Sequence, residues 1–577
     1  MSVFGFSGVC WVSSKGVIKL ESNNHSEATL KQFDDLMQAV ERPSERVVAS
    51  FKCSPGFSLE TLDAALLRHF QLDVGCEPLA CVIESTEIGG VELEVIRRSM
   101  ALCLELMQAG GFPIFDMPLV NCVNAGDSDG LKRFEIQMQW VYGATSAMYQ
   151  SAVSGALKIS LALGAECAPD FPQKAQEWLN GNVVLPIRQA LRFSPSTLPI
   201  LREVHRCGIP YEHLGRGVFR LGWGSNGRLH YRSASSGDAA LSIQLVQNKE
   251  VTANVLRKAG LPSPEHIRVA TVTEAQDAAK RLGYPVVVKP LDRDRGEGVT
   301  VDIYDSAELE RAFSAAATMV KGQPLLVERQ IPGICYRLFI VQGELLYAVE
   351  RLPVGVTGDG VQTVSELIAD AVASRDALPP WKHKPGPVLD TGVANFLEKC
   401  DISLSDVPEN GSVVALRRIE SMALGGMPID VTEQVHPHNI EIAVLAARVL
   451  GLDVAGVDLM TEDISVPWNQ SGAVINEVNF APTIGTGPAS APYLKGYVKR
   501  LVPGDGKIPV ELCSSSTDAV KKLDIERMRG NNWVFLTPTQ VMRSDSSVIN
   551  VPLSSMAGRL RALLSRDSID GVLVSLS

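Results

Sequence analysis

Three valines, Val286, Val287 and Val288, run straight into Lys289 and Pro290. A short apolar run of β-branched residues reads as a buried strand. The lysine at its end is the constraint. An ammonium taken out of water is costly unless an anion meets it, so the fold must supply one there. The next residues, "LDRDRGEGV", hold Gly296, Glu297 and Gly298, and such glycines can expose backbone N–H groups to a phosphate chain. A glycine-punctuated turn between two strands explains the same letters equally well, so this stretch alone leaves both readings open.

Other segments offer partners. In "PLLVERQIPG" an apolar strand runs into Glu328 and then a short loop. Backbone groups past such a strand can pair with an adenine edge, and a carboxylate can accept from its amino group; a solvent-facing glutamate is the plainer reading. In "INEVNFAP", Glu477 and Asn479 stand two apart on an apolar strand and so share one face. If the "VAGVDLM" strand lies beside it, Asp458 joins them, and three oxygen ligands converge in a set that suits magnesium with substrate phosphates. "LRRIESMALGG" places Arg417 and Arg418 near a glycine pair, where either can stabilise a transferring phosphoryl group or form a surface ion pair.

Bulk properties narrow the classes. A chain of 577 residues predicts three or four domains. A net charge of −11 argues against nucleic acid as a partner, since such binding usually shows as a basic surplus. Eleven cysteines without a C-x-x-C pair, and an N-terminus without a basic segment leading into an apolar run, predict free thiols and a cytoplasmic protein. The most apolar long stretch, Phe134 to Gly164, contains Glu135 and Lys158 and predicts a buried helical pair, with no membrane span. Helices are expected over 89–111, closed by Gly110 and Gly111, and after Asn248, closed by Gly260; a hairpin is expected around "GSNG". His25 and His69 read as isolated surface or core histidines.

Taken together, "NKEVTANVLRKAGLPSP", "GYPVVVKPLDRDRGEGVTV", "VERQIPG", "RLPVGVTGDGVQTVSELI", "DVTEQVHPHN", "LGLDVAGVDLMTEDIS" and "EVNFAP" occur in the order and spacing of the ATP-grasp superfamily. Residues 194 to about 485 resemble the ATP-grasp part of cyanophycin synthetases. The resemblance implies an α/β and α+β multidomain chain: an N-terminal α/β domain (1–193), an ATP-grasp domain of two lobes with ATP between them (194–500), and a truncated Mur-ligase-like remnant (501–577). It implies ATP and Mg2+ as cofactors. Lys249 and Lys289 would hold phosphates, Gly296, Glu297 and Gly298 would close over them, and Glu328 and Ile331 would lie at adenine. Asp458, Glu477 and Asn479 would bind the metal, and Arg337 and Arg417 would face the reacting carboxyl or phosphate. The implied activity is amide or peptide bond formation between amino acids or short peptides through an acyl phosphate. A carrier protein is the variant acceptor, and a homo-oligomer is expected. A scaffold that binds nucleotide without turnover is the rival.

The chain also departs from that pattern. Cys335 stands where the family keeps an acidic residue at the ribose. "RRIESMALGG" replaces "RRNANLSTGG", so Ile419 and Ser421 replace two asparagines. "NFAPTIGTG" replaces "NAAPGLRMH", and "GKIPVELCSSSTDAVKKL" stands where a phosphate loop opens the family's second ligase. These departures imply a different substrate or weakened catalysis.

Overall fold

The computed structural model describes residues 12–13, 16–17, 27–41, 44–74, 82–83, 90–123, 131–165, 167–291, 298–320, 323–418, 420, 425–513, 532–543, 545 and 547–576. His25, Gly296, Glu297, Ile419 and Ser421 lie outside them. By contact the chain forms two compact units, one of residues 1–232, 379–381 and 498–577, the other of residues 233–378 and 382–497.

In the first unit, a sheet of order Ser44–Phe51, Lys132–Gln139, Leu119–Val123, Val82–Ile83 packs on helices Val91–Gly110 and Ser146–Leu163. The expected helix over 89–111 is present, and Gly111 closes it at φ 107°. The expected helical pair over 134–164 is instead one strand and one helix. Phe134, Ile136 and Met138 are buried at every second position, which a strand satisfies and a helix does not. Tyr149 ties the two elements together: its hydroxyl donates to the Gln139 carbonyl and accepts from the Val141 N–H. The hairpin around "GSNG" forms between Val218–Leu221 and Arg228–Tyr231. The C-terminal residues build a five-stranded sheet whose core includes Val534, Leu536, Leu560 and Val572, together with Phe33 and Val40 of helix Glu27–Glu41.

The second unit holds two larger sheets. The first comprises β1 (His266–Val269), β2 (Val286–Pro290), β3 (Thr300–Ile303) and β4 (Leu325–Arg329), in the order β1-β4-β2-β3 and antiparallel throughout. Val286 and Val288 of β2 and Leu325 and Val327 of β4 face helices Val272–Leu282 and Ser306–Met319. Lys289 and Glu328, one residue out of phase, therefore point to the opposite face. The second sheet comprises β5 (Ile334–Val341), β6 (Glu344–Leu352), β7 (Met427–Asp430), β8 (Val454–Thr461) and β9 (Val474–Phe480), in the order β7-β6-β5-β8-β9. Tyr336, Leu338 and Ile340 of β5 and Ala455, Val457 and Leu459 of β8 pack on helix Pro437–Val449 through Ile442, Ala443 and Ala446. The alternate residues Cys335, Arg337, Asp458, Glu477 and Asn479 fall on the other face. Helix Lys249–Lys258 is capped by Asn248, whose side chain accepts from the Val251 N–H, and it ends before Gly260 at φ 77°.

Candidate functional site

Strand register builds this site. Asp458 of β8 lies opposite Arg337 of β5 on one side and Glu477 of β9 on the other, and Asn479 lies opposite Gly456. Residues directly across a sheet project to the same face. Asp458, Glu477 and Asn479 thus fall on one face, because the Asp458 strand lies beside the Glu477 strand.

Asp458 is 1% exposed and held by two guanidinium groups. Arg337 donates through Nε at 2.6 Å and Nη2 at 2.7 Å, a bidentate pair, and Arg351 donates through Nη1 at 3.0 Å. Burial pushes the Asp458 carboxyl up, but Arg337 and Arg351 prevail and hold it below the ordinary carboxylate range. Burial acts to lower the Arg337 pKa, and Asp458 more than offsets this, so that guanidinium stays charged. Asn479 Nδ2 lies 3.5 Å from Asp458 Oδ2, while the Glu477 carboxylate makes no hydrogen bond or ion pair among the described residues. Cys335 is buried, and burial first and Asp458 second push its thiol up; Arg351 Nη1 lies 4.0 Å from its sulfur.

Arg351 escaped the sequence reading. Arg417, the arginine singled out, forms an ion pair with Asp390, the N-cap residue of helix Thr391–Lys399. Arg418 pairs with Asp302 of β3 at 2.7 Å.

On the first sheet Lys289 finds its anion. Its Nζ is 2.5 Å from Glu328 Oε2, with each side chain 9% exposed. The two come together because Val287 is opposite Glu328 and Lys289 opposite Leu326, so they sit diagonally on one face. The contact is close but poorly angled: Glu328 Oε2 is buried and lacks a hydrogen-bond donor among the described residues. Ile331 is half-buried in the loop after β4, and that loop turns at Gly333 with φ 115°. A Cβ there would lie 2.4 Å from the Thr461 carbonyl carbon, so glycine is required on both grounds. Gly298 has φ 72°, and Lys249 is half-buried in the first turn of its helix.

The donor set fits a magnesium ion by its chemistry: two carboxylates and an amide oxygen on one sheet face, one carboxylate without a protein partner. Among the described residues there is no cluster of three or more His, Cys, Asp or Glu, so it is Asn479 that completes this set.

Comparison with known proteins gives the class. Residues 242–335 match the ATP-grasp domain family, so the chain contains an ATP-grasp domain. It is 34% identical over 299 residues to cyanophycin synthetase of Geminocystis herdmanii, which covers 51% of this chain and 34% of the relative. It is 30% identical over 258 residues to the glutathione biosynthesis bifunctional protein of Mannheimia succiniciproducens, covering 43% of this chain and 33% of the relative. A solved bifunctional glutathione synthetase from Pasteurella multocida aligns over 76% of each chain at 18% identity, with a TM-score of 0.42. The chain spans about a third of the length of these two curated relatives. Among the described residues no helix is long and apolar enough to cross a membrane.

Proposed function

We propose that the protein is an ATP-dependent carboxylate–amine ligase that joins amino acids or short peptides through an acyl phosphate. The carrying observation is the face on which Arg337, Arg351, Asp458, Glu477 and Asn479 converge by strand register. In this reading Lys289 and Lys249 neutralise ATP phosphates, and the segment Gly296, Glu297 and Gly298 would close over them. Glu328, paired with Lys289 but accepting no hydrogen bond at Oε2 among the described residues, is an acceptor that suits the adenine amino group, with the backbone near Ile331 at the ring edge. Asp458, Glu477 and Asn479 hold magnesium, which when bound neutralises phosphate charge. Arg337 and Arg351 face the oxygens on which charge builds as the carboxylate attacks the terminal phosphate. Arg417 enters the same role only by leaving Asp390.

The acceptor is a free amine, or an amine or thiol on a carrier protein. We read residues 501–577 as similar to part of a second, Mur-ligase-like domain, 1–193 as a domain of separate role, and the protein as a cytoplasmic homo-oligomer serving specialised metabolism. One observation favours the rival, a scaffold that binds nucleotide without turnover: two arginines already occupy Asp458. Phosphate release from ATP and magnesium, measured over pairs of amino acids, separates the two. Release that requires both amino acids and is lost in Glu477→Gln supports the ligase. Tight ATP binding without release under any pair supports the scaffold.

A further inference from the structure

The first unit holds a pocket that the ligase reading leaves unused. Its volume is about 150 Å³, and parts of the segments 139–142, 210–213 and 219–223 line it together with Arg561 and Leu564 of helix Met556–Leu564. That is about the space that accepts one benzene ring. Trp140, Tyr142, Tyr211, His213, Phe219 and Trp223 are among its walls. The His213 ring is fixed in place: Nδ1 donates to the Tyr142 carbonyl at 2.7 Å, Nε2 accepts from the Gly217 N–H at 3.1 Å, and Phe219 stacks on it at 4.7 Å. Such walls suit a flat ring. Three polar side chains on the pocket are unsatisfied among the described residues. Gln139 Oε1 is buried without a hydrogen-bond partner. Glu212 and Arg220 lie directly opposite each other on neighbouring strands, so their side chains share a face. Neither makes an ion pair or a side-chain hydrogen bond, with each other or with any other described residue. The strand Tyr211–Gly215 is the edge of its sheet, so a pocket at that edge can meet the charged pair on one face and Tyr211 and His213 on the other. Arg561 is already engaged, since its Nη2 donates to the carbonyl oxygens of Ala39 and Val40.

We propose that this pocket binds a free aromatic α-amino acid whose ring carries a hydrogen-bond donor, as tyrosine does. Arg220 meets the α-carboxylate and Glu212 the α-ammonium group. The ring lies among the aromatic side chains, and its O–H donates to Gln139 Oε1. A carboxylate and a guanidinium that face one another without closing leave room for a zwitterion, which carries both complementary charges on one carbon. Other ligands satisfy less of the site. An internal residue of a peptide carries neither charge, and a nucleotide would set its phosphates against Glu212. An amine without a carboxylate leaves Arg220 unpaired. None of the lining residues belongs to the face around Asp458, so the proposal stands apart from the ligase reading.

Calorimetric titration of the full chain, without ATP or magnesium, tests this. The ligands are tyrosine, phenylalanine, tyramine, which lacks the carboxylate, and 3-(4-hydroxyphenyl)propionate, which lacks the ammonium group. The wild type is expected to bind tyrosine more tightly than each of the others by roughly tenfold or more. Arg220→Gln should weaken tyrosine by roughly ten- to a hundredfold and leave tyramine at its wild-type affinity. Glu212→Gln should weaken tyrosine and tyramine alike and leave the propionate no weaker than before. The ligand that each variant still binds shows that its pocket is folded. Absence of saturable tyrosine binding by the wild type overturns the proposal. So does equal wild-type affinity for all the ligands, or tyrosine affinity unchanged in both variants, which would put the bound amino acid elsewhere on the chain.

Discussion

Replacing Asp458 with asparagine should loosen the second sheet of its unit by an amount the geometry sets. The carboxylate accepts three charge-assisted hydrogen bonds, two from Arg337 and one from Arg351. Asparagine removes the charge and turns one acceptor into a donor aimed at guanidinium. Removing one partner of a buried ion pair costs roughly 3–5 kcal/mol. The arginine side chains keep 19% and 23% of their exposure, so water relieves part of this, and the low end, about 3 kcal/mol, applies. Hydrogen exchange of peptides covering Val454–Thr461, in the full chain without nucleotide, reports that change locally. At ~1.4 kcal/mol per decade, exchange should quicken on the order of a hundredfold, with peptides over Lys132–Gln139 unchanged. The wild-type advantage has a defined sign with pH. Asp458 is held below its ordinary value, so its stabilisation is full above about pH 4 and is lost as pH falls through the lowered value. Exchange within threefold of wild type would refute the claim that this carboxylate anchors both arginines.

Three further outcomes follow from the same structure. His230 is 2% exposed, and burial lowers its pKa to about 4. Its neutral form is favoured in the fold, so stability is full above the unfolded value near 6.5, falls as pH drops towards 4, and then levels. The total is roughly 3 kcal/mol, and urea unfolding at a series of pH values should show a flatter acid limb for His230→Phe. Gly333→Ala should cost about 2 kcal/mol or more, since its Cβ would meet the Thr461 backbone at 2.4 Å. Gly472→Ala, at φ 71° with nothing within 4 Å, should cost only about 1 kcal/mol of backbone strain, and thermal unfolding of the two glycine variants reads the difference.

What the sequence disclosed follows from period. Glu477 and Asn479 share a face because a strand repeats every two residues, and Lys289 could be placed because a buried ammonium demands a partner. The identity of that partner, Glu328, depended on which strand lay beside β2, and local pattern does not encode this. Arg351 was hidden by a bulge. Val341 pairs with Glu344 across the turn at Gln342 and Gly343, and counting back in register sets Arg351 opposite Ile334, on the core-facing side with Tyr336. An extra residue between the Ile340–Leu345 and Phe339–Tyr347 pairs shifts the register by one. Arg351 then falls opposite Cys335 and reaches Asp458. Arg417 is ambiguous for a different reason: an arginine beside glycines reads the same whether it faces a phosphate or pairs with an aspartate distant in sequence, here Asp390.

In the proposed reaction a carboxylate attacks the terminal phosphate of ATP. A carboxylate donor labelled with 18O, supplied with ATP, magnesium and an amine under turnover, tests it most directly. One labelled oxygen carried into each released phosphate is the predicted result. Phosphate that takes its new oxygen from water alone would contradict the claim and leave ATP hydrolysis without ligation.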